Sequence, residues 1–67
     1  MLARKSPVLI ETPEGRIRRT GLSASPEAHP VEVSLALREK GLRAYRVEYD
    51  FESDAWIARV IDWDLAA

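Results

Sequence analysis

The chain has 67 residues, with ten basic and eleven acidic side chains and a formal net charge of −1. A chain this short is close to the lower limit at which one hydrophobic core holds together, so we expect a single domain over residues 1–67. Cysteine is absent, which excludes disulfides and thiolate metal sites. Tight packing or oligomerisation must therefore supply the stability.

Composition also indicates the cellular context. The sequence has no apolar run long enough to cross a membrane and no signal-like hydrophobic segment after Met1, so we expect a cytoplasmic protein without membrane contact. Asparagine and glutamine are absent, and eight arginines stand against two lysines. Loss of thermolabile residues is one mark of thermophile proteins. A GC-rich bacterial genome produces a similar bias.

The first predicted element is a β-hairpin. Val8–Thr12 reads as a strand, turn residues follow, and Arg16–Thr20 reads as the returning strand. A four-residue loop would place Ile10 opposite Ile17 as an apolar pair. Residues 21–30, rich in serine and proline, read as a connection.

Alternating apolar and polar residues then predict an antiparallel meander with three strands. The strands are Val31–Leu37, Leu42–Phe51 and Trp56–Trp63, with turns at 39–41 and 52–55. The first two strands of the meander would pair Leu37 with Arg43, Leu35 with Tyr45, Val33 with Val47, and Val31 with Tyr49. Its last two strands would pair Phe51 with Trp56, Tyr49 with Ala58, Val47 with Val60, and Glu48 with Arg59. Both registers place Tyr45, Val47, Tyr49 and Phe51 on one face, where we expect them in the core with Trp56.

A helix is the alternative reading of residues 30–40. Pro30 suits the first helical position, Ser34 to Lys40 is rich in helix formers, and Gly41 followed by Leu42 suits a helix end. The preferred prediction is a mainly β domain of about five strands, a small antiparallel sheet or half-open barrel. The alternative is an α+β chain with the order ββαββ.

The last strand predicts an interface. Trp56 and Trp63 fall on opposite faces, and Ile57 and Ile61 lie on the side of Trp63. A strand that is apolar on both faces is usually covered on both sides. We therefore expect a homodimer or larger assembly through Ile57, Ile61 and Trp63, with a non-enzymatic role in protein interaction.

A second hypothesis is a nucleic-acid surface on the first hairpin. Residues 1–25 carry five basic and two acidic side chains, whereas the remainder carries five basic and nine acidic ones. A basic hairpin beside aromatic residues is typical of small β-domains that bind single strands. The candidate contacts are Arg4, Lys5, Arg16, Arg18 and Arg19. The slightly acidic total charge disfavours this hypothesis, since nucleic-acid-binding proteins usually carry a positive excess.

The sequence contains no motif for catalysis, a cofactor or a metal. The acidic segment Asp50–Asp54 has alternating carboxylates, but Ala55 and Ile61 occupy the positions where a calcium loop has glycine and glutamate. His29 is the only histidine and has no orienting group beside it, which leaves a surface loop as its expected place. We therefore expect neither an enzyme nor a metal or cofactor site.

The segment Tyr49-Asp-Phe-Glu-Ser-Asp-Ala-Trp-Ile-Ala58 resembles the opening hairpin of HicB-type antitoxin domains, in which an acidic turn precedes an aromatic-x-Ala strand. The resemblance covers less than a third of the chain. In those domains a Pro-Gly corner and a helix follow the hairpin, whereas here Asp62-Trp-Asp64 follows. No function is carried over from the resemblance.

Overall fold

The computed structural model describes residues 4–62. They form one four-stranded mixed sheet with a single helix across one of its faces. The elements are β1 (Ser6–Glu11), β2 (Ile17–Ala24), α1 (Pro30–Glu39), β3 (Arg43–Asp50) and β4 (Ala55–Asp62). The strand order is β2-β1-β4-β3, and the two central strands, β1 and β4, are parallel.

The mainly β class is confirmed, and the sheet stays open rather than closing into a barrel. Two details of the preferred version differ: the described chain has four strands rather than about five, and the sheet is mixed rather than antiparallel. Residues 31–37 are helical, so none of the pairs predicted between that segment and residues 43–49 forms. The ββαββ alternative gives the correct order of elements.

The start of α1 is fixed by His29. Its Nδ1 atom accepts a hydrogen bond from the backbone N–H of Val31 at 3.1 Å, and its backbone is extended, as at an N-cap. Pro30 follows at the first helical position, where its missing N–H costs nothing. Glu32 then places a negative charge in the first turn, where it interacts favourably with the positive end of the helix dipole. Proline therefore begins an element here rather than interrupting one.

The end of α1 is a Schellman motif. The N–H of Leu42 donates to the carbonyl of Leu37 at 3.0 Å, and the N–H of Gly41 donates to that of Arg38 at 2.9 Å. Gly41 has a φ of +87°, which side chains other than glycine rarely adopt. Leu37 and Leu42 are both buried in the core, which is the apolar contact that accompanies this motif. Signals at both ends therefore favour a helix.

Helical geometry also explains which apolar residues α1 buries. Val33 and Leu37 lie one turn apart and are 2% and 0% exposed, whereas Val31 and Leu35 are 55% and 53% exposed. In a strand these four residues would share one face. The alternating apolar residues of 31–37 therefore predicted a strand, although the segment is a helix that buries only two of the four.

The first hairpin has a tighter loop than predicted. Thr12 and Arg16 close it, because the N–H of Thr12 donates to the carbonyl of Arg16 at 2.8 Å. The N–H of Gly15 donates to the carbonyl of Thr12 at 2.8 Å, and Gly15 has a φ of +88°. This is a three-residue loop, Pro13–Gly15, with a left-handed glycine in its third position.

The shorter loop changes the faces of β2. Glu11 lies opposite Ile17 and Ile10 lies opposite Arg18, so the predicted Ile10–Ile17 pair is wrong by one position. A shift of one residue moves every side chain of a strand to the other face. Ile17 is consequently 50% exposed instead of entering the core.

The second hairpin turns through the four residues 51–54. Asp54 has a φ of +57°, and aspartate tolerates this left-handed conformation better than the alanine that follows it. The predicted loop, residues 52–55, would have ended on Ala55. Strand pairing is therefore offset by two positions from the prediction, which preserves the faces but changes the partners. The observed pairs are Asp50 with Ala55, Tyr49 with Trp56, Glu48 with Ile57, Val47 with Ala58, and Arg46 with Arg59.

The core lies between α1 and the sheet. Its buried members are Val8, Ile10, Val33, Leu37, Leu42, Trp56, Ala58 and Val60. Trp56 is 2% exposed, and its indole Nε1 donates to the carbonyl of Ser25 at 3.0 Å. The ten-residue α1 is too short to cross a bilayer, and the described part of the chain has no other helix.

Candidate interaction surface

The sheet has one face without a covering element among residues 4–62. We call it the open face: it is the side turned away from α1. Strand register assigns to this face every second residue of the two central strands and their cross-strand partners. The members used below are Leu9, Glu11, Ile17, Arg19, Arg46, Glu48, Ile57, Arg59 and Ile61.

The centre of the open face is apolar. Leu9 and Ile57 are register partners on the parallel strands β1 and β4, and both are half-buried. Toward the other end of the face, Ile17 and Ile61 are 50% and 62% exposed. The apolar residues of the face thus lie on three neighbouring strands.

Two of the three predicted interface residues lie on this face. Ile57 is at its centre, and Ile61 follows by alternation along β4, whereas Trp63 lies outside the described residues. Sequence reasoning missed Leu9 and Ile17. Ile17 could have been identified from Gly15, because a glycine that adopts a positive φ in this turn indicates a three-residue loop. Leu9 had no local signal, since its neighbour Ile57 is 48 positions away.

Charged pairs border the apolar centre. Nε of Arg59 lies 3.6 Å from a carboxylate oxygen of Glu11 on the adjacent strand. Nε of Arg46 donates to Glu48 Oε2 at 2.8 Å along β3. The side chains of these pairs are 31–61% exposed, so the pairs stabilise the monomer little. The predicted cross-strand pair of Glu48 with Arg59 does not form, because Arg46 lies opposite Arg59.

The five predicted nucleic-acid contacts are dispersed. Arg4 pairs with Asp54 at the β3–β4 turn. Lys5 and Arg19 line one groove of the open face, whereas Arg16 and Arg18 line another surface together with Glu14. Arg18 and Arg19 point to opposite faces of β2. Arg16 and Arg18 therefore lie apart from Lys5 and Arg19, and nucleic-acid binding stays a prediction.

The acidic turn is held by hydrogen bonds. Asp50 Oδ2 accepts from the hydroxyl of Ser53 at 2.5 Å. Asp54 accepts from the hydroxyl of Tyr49 and pairs with Arg4, while Ser6 Oγ lies 3.1 Å from the same tyrosine hydroxyl. This network connects the beginning of the described chain to the turn, which gives the carboxylate of Asp54 a structural role.

Other polar side chains also have local roles. His29 is exposed and caps α1, and Ser25 Oγ accepts from the N–H of Glu27 at 3.1 Å in the preceding turn. Within residues 4–62, no three His, Cys, Asp or Glu side chains cluster closely enough to hold a metal ion.

The predicted aromatic cluster is only partly in the core. Trp56 is buried and Tyr49 half-buried, with ring centroids 5.5 Å apart in an edge-to-face contact. Phe51 contacts Tyr49 at the turn, yet it is 85% exposed. Tyr45 is 63% exposed because the β3–β4 register shifts between Ala44 and Arg46 and leaves Tyr45 unpaired. The predicted burial of Tyr45 and Phe51 is wrong.

Both edges of the sheet carry features that obstruct further strand pairing. On β2, Lys40 Nζ donates to the carbonyl of Thr20 at 2.7 Å, and the pairing of β2 with β1 is irregular beside Gly21. On β3, the bulge at Tyr45 interrupts the edge, and charged side chains flank it. Bulges and lysines are common means of preventing edge-to-edge association. The open face is therefore the more suitable contact surface.

No family model, curated protein or solved structure matches this chain. The resemblance of residues 49–58 to HicB-type domains thus remains confined to one hairpin. Here that hairpin is the last one described rather than the opening one.

Proposed function

We propose that the protein is a non-enzymatic interaction module that associates with a second copy of itself through the open face. The observation that carries this proposal is the apolar centre, Leu9 beside Ile57, with exposed Ile17 and Ile61 nearby. Apolar side chains on an uncovered surface with polar ones around them are typical of protein contact sites, and here Glu11 and Arg59 lie beside the apolar centre.

The size of the domain supports the same proposal. One helix covers one face of the sheet, so the second face adds little to the core of a monomer. Small domains without disulfides often gain stability by oligomerising. Pairing two open faces would remove apolar side chains from water at about 25 cal/mol per Å².

The test is the mass in solution of the native chain and three variants by size exclusion with light scattering. The native chain should be a dimer, and Ile61→Asp should shift it toward monomer, because a carboxylate would be buried in an apolar contact. Trp63→Ala, at the third interface residue predicted from the sequence, should act in the same direction. Leu35→Asp is the matched control, since Leu35 is similarly exposed but lies on the outer side of α1.

A native chain that is monomeric over the whole concentration range would contradict the proposal. So would a dimer that Leu35→Asp dissociates and Ile61→Asp does not, because the outer side of α1 would then be the contact. If the chain is a monomer, titration with labelled single-stranded DNA at low salt becomes the next measurement. Binding through phosphate contacts should weaken steeply as salt is added.

A further inference from the structure

One register row of the open face crosses all four strands with an ordered charge pattern. Arg19 on β2 lies opposite Leu9 on β1, Leu9 lies beside Ile57 on β4, and Ile57 lies opposite Glu48 on β3. The row therefore reads positive, apolar, apolar, negative from one edge to the other. Glu48 and Arg19 each line a groove of this face together with the adjacent central residue.

From this pattern we infer a specific dimer, which rests on the proposed self-association. The second copy packs face to face about a two-fold axis that runs parallel to the strands, between β1 and β4. Such an axis exchanges the two edges of the sheet but leaves each row at the same position along the strand direction. Arg19 then meets Glu48 of the second copy, and Leu9 meets Ile57 of the second copy. The same contacts occur twice, as an isologous interface requires.

The adjacent row satisfies the same symmetry. It reads Ile17, Glu11, Arg59, Arg46 across the sheet. The axis sets Glu11 against Arg59 of the second copy, so two intrachain pairs join into a square of alternating charges. Arg46 would lie over Ile17 of the second copy, and the methylene stem of arginine can cover an apolar side chain.

A two-fold axis perpendicular to the strands gives a poorer match. If this axis passes between the two rows, each strand packs antiparallel against the same strand of the second copy. Leu9 would then meet Glu11, which sets a carboxylate against an apolar side chain and costs desolvation without a compensating partner. Ile57 would meet Arg59 and Arg19 would meet Ile17, so two arginines would lie over apolar side chains, and only the contact of Glu48 with Arg46 would join opposite charges. Aligned packing of two sheets about 10 Å apart, offset by about 30°, is compatible with the parallel axis.

The test exchanges the two outer charges. Arg19→Glu and Glu48→Arg each create two like-charge contacts per dimer, and each should weaken dimerisation at least tenfold at low salt. An equimolar mixture of the two variants should restore it, because both contacts of the mixed dimer are then between opposite charges. The defects of the single variants should shrink in high salt, where exposed charges are screened.

Arg38→Glu and Glu52→Arg serve as matched controls, because they make the same charge changes on α1 and in the β3–β4 turn, away from the open face. Circular dichroism of each protein checks that it is folded. Light scattering over a dilution series gives the dimer dissociation constant, and a mass tag on one variant identifies the mixed dimer.

The outcomes separate the two proposals. If the native chain is a dimer that Ile61→Asp dissociates, but Arg19→Glu and Glu48→Arg leave it intact, the inferred axis is wrong and self-association stands. If both single variants dissociate and their mixture does not re-associate, the pairing of Arg19 with Glu48 is refuted. A native chain that is monomeric throughout overturns both proposals. Restoration in the mixture establishes the parallel two-fold axis.

Discussion

Leu37→Ala and Leu35→Ala form a matched pair that tests how residues 30–39 pack. The two leucines are two positions apart, and they are 0% and 53% exposed. Truncating a fully buried leucine costs about 2–5 kcal/mol through lost transfer energy and the cavity left behind. Truncating the exposed one should change the free energy of unfolding by no more than about 0.5 kcal/mol, since alanine is also a good helix former.

The larger effect is severe for a chain of this size. At about 0.05–0.15 kcal/mol per residue, the whole domain is stable by about 3–10 kcal/mol. Leu37→Ala would therefore remove much of the stability, and each kcal/mol lowers the melting temperature by about 4–8 °C in domains of 60–100 residues. If Leu37→Ala does not fold, Leu37→Met keeps most of the volume and should cost less than about 1.5 kcal/mol.

Urea unfolding followed by tryptophan fluorescence is a suitable assay, because Trp56 is buried and should respond to unfolding. All variants are compared at one protein concentration, since self-association adds to apparent stability. A strand over residues 31–37 would place both leucines on one face. Equal losses of stability for the two alanine variants would therefore refute the helical packing.

Two further substitutions test local contacts. His29→Ala removes the acceptor for the N–H of Val31 and should cost about 1 kcal/mol, whereas His29→Asn should be neutral; thermal melts by circular dichroism that show no difference between the two would argue against a capping role. Asp54→Ala loses the contacts to Tyr49 and Arg4 and places alanine in a left-handed conformation, so it should destabilise by about 1–3 kcal/mol, and Asp54→Asn by less. Equal urea midpoints for both Asp54 variants would contradict this.

Part of the fold was predictable because its signals are local. Pro30, Gly41 and Leu42 mark the ends of α1, and the hydrogen bonds that use these signals span at most five residues. The strand–turn–strand character of residues 43–62 was also evident from alternation and from the acidic turn. The choice between strand and helix for residues 31–37 was not evident, because either structure places apolar side chains on a core.

The pairings within both hairpins were mispredicted for a common reason. In each case a loop boundary was misplaced: the first loop is one residue shorter than predicted, and the second keeps four residues but lies at 51–54 instead of 52–55. Each observed loop ends on a residue with a positive φ, Gly15 in the first and Asp54 in the second. Moving a loop boundary moves the register, and the register decides which side chains lie opposite each other. Ile17 was expected opposite Ile10 and lies opposite Glu11 on the open face as a result.

By itself the sequence determined the mainly β character, the two hairpins and the capped ends of a possible helix, because these depend on preferences of neighbouring residues. Only the tertiary structure decided that β1 and β4 lie side by side, which sets Leu9 against Ile57 across 48 positions. That pairing has no local signature, since parallel strands are joined through the rest of the chain and are selected by burial of the common core. The open face, on which the proposed dimer depends, exists only as a consequence of that pairing.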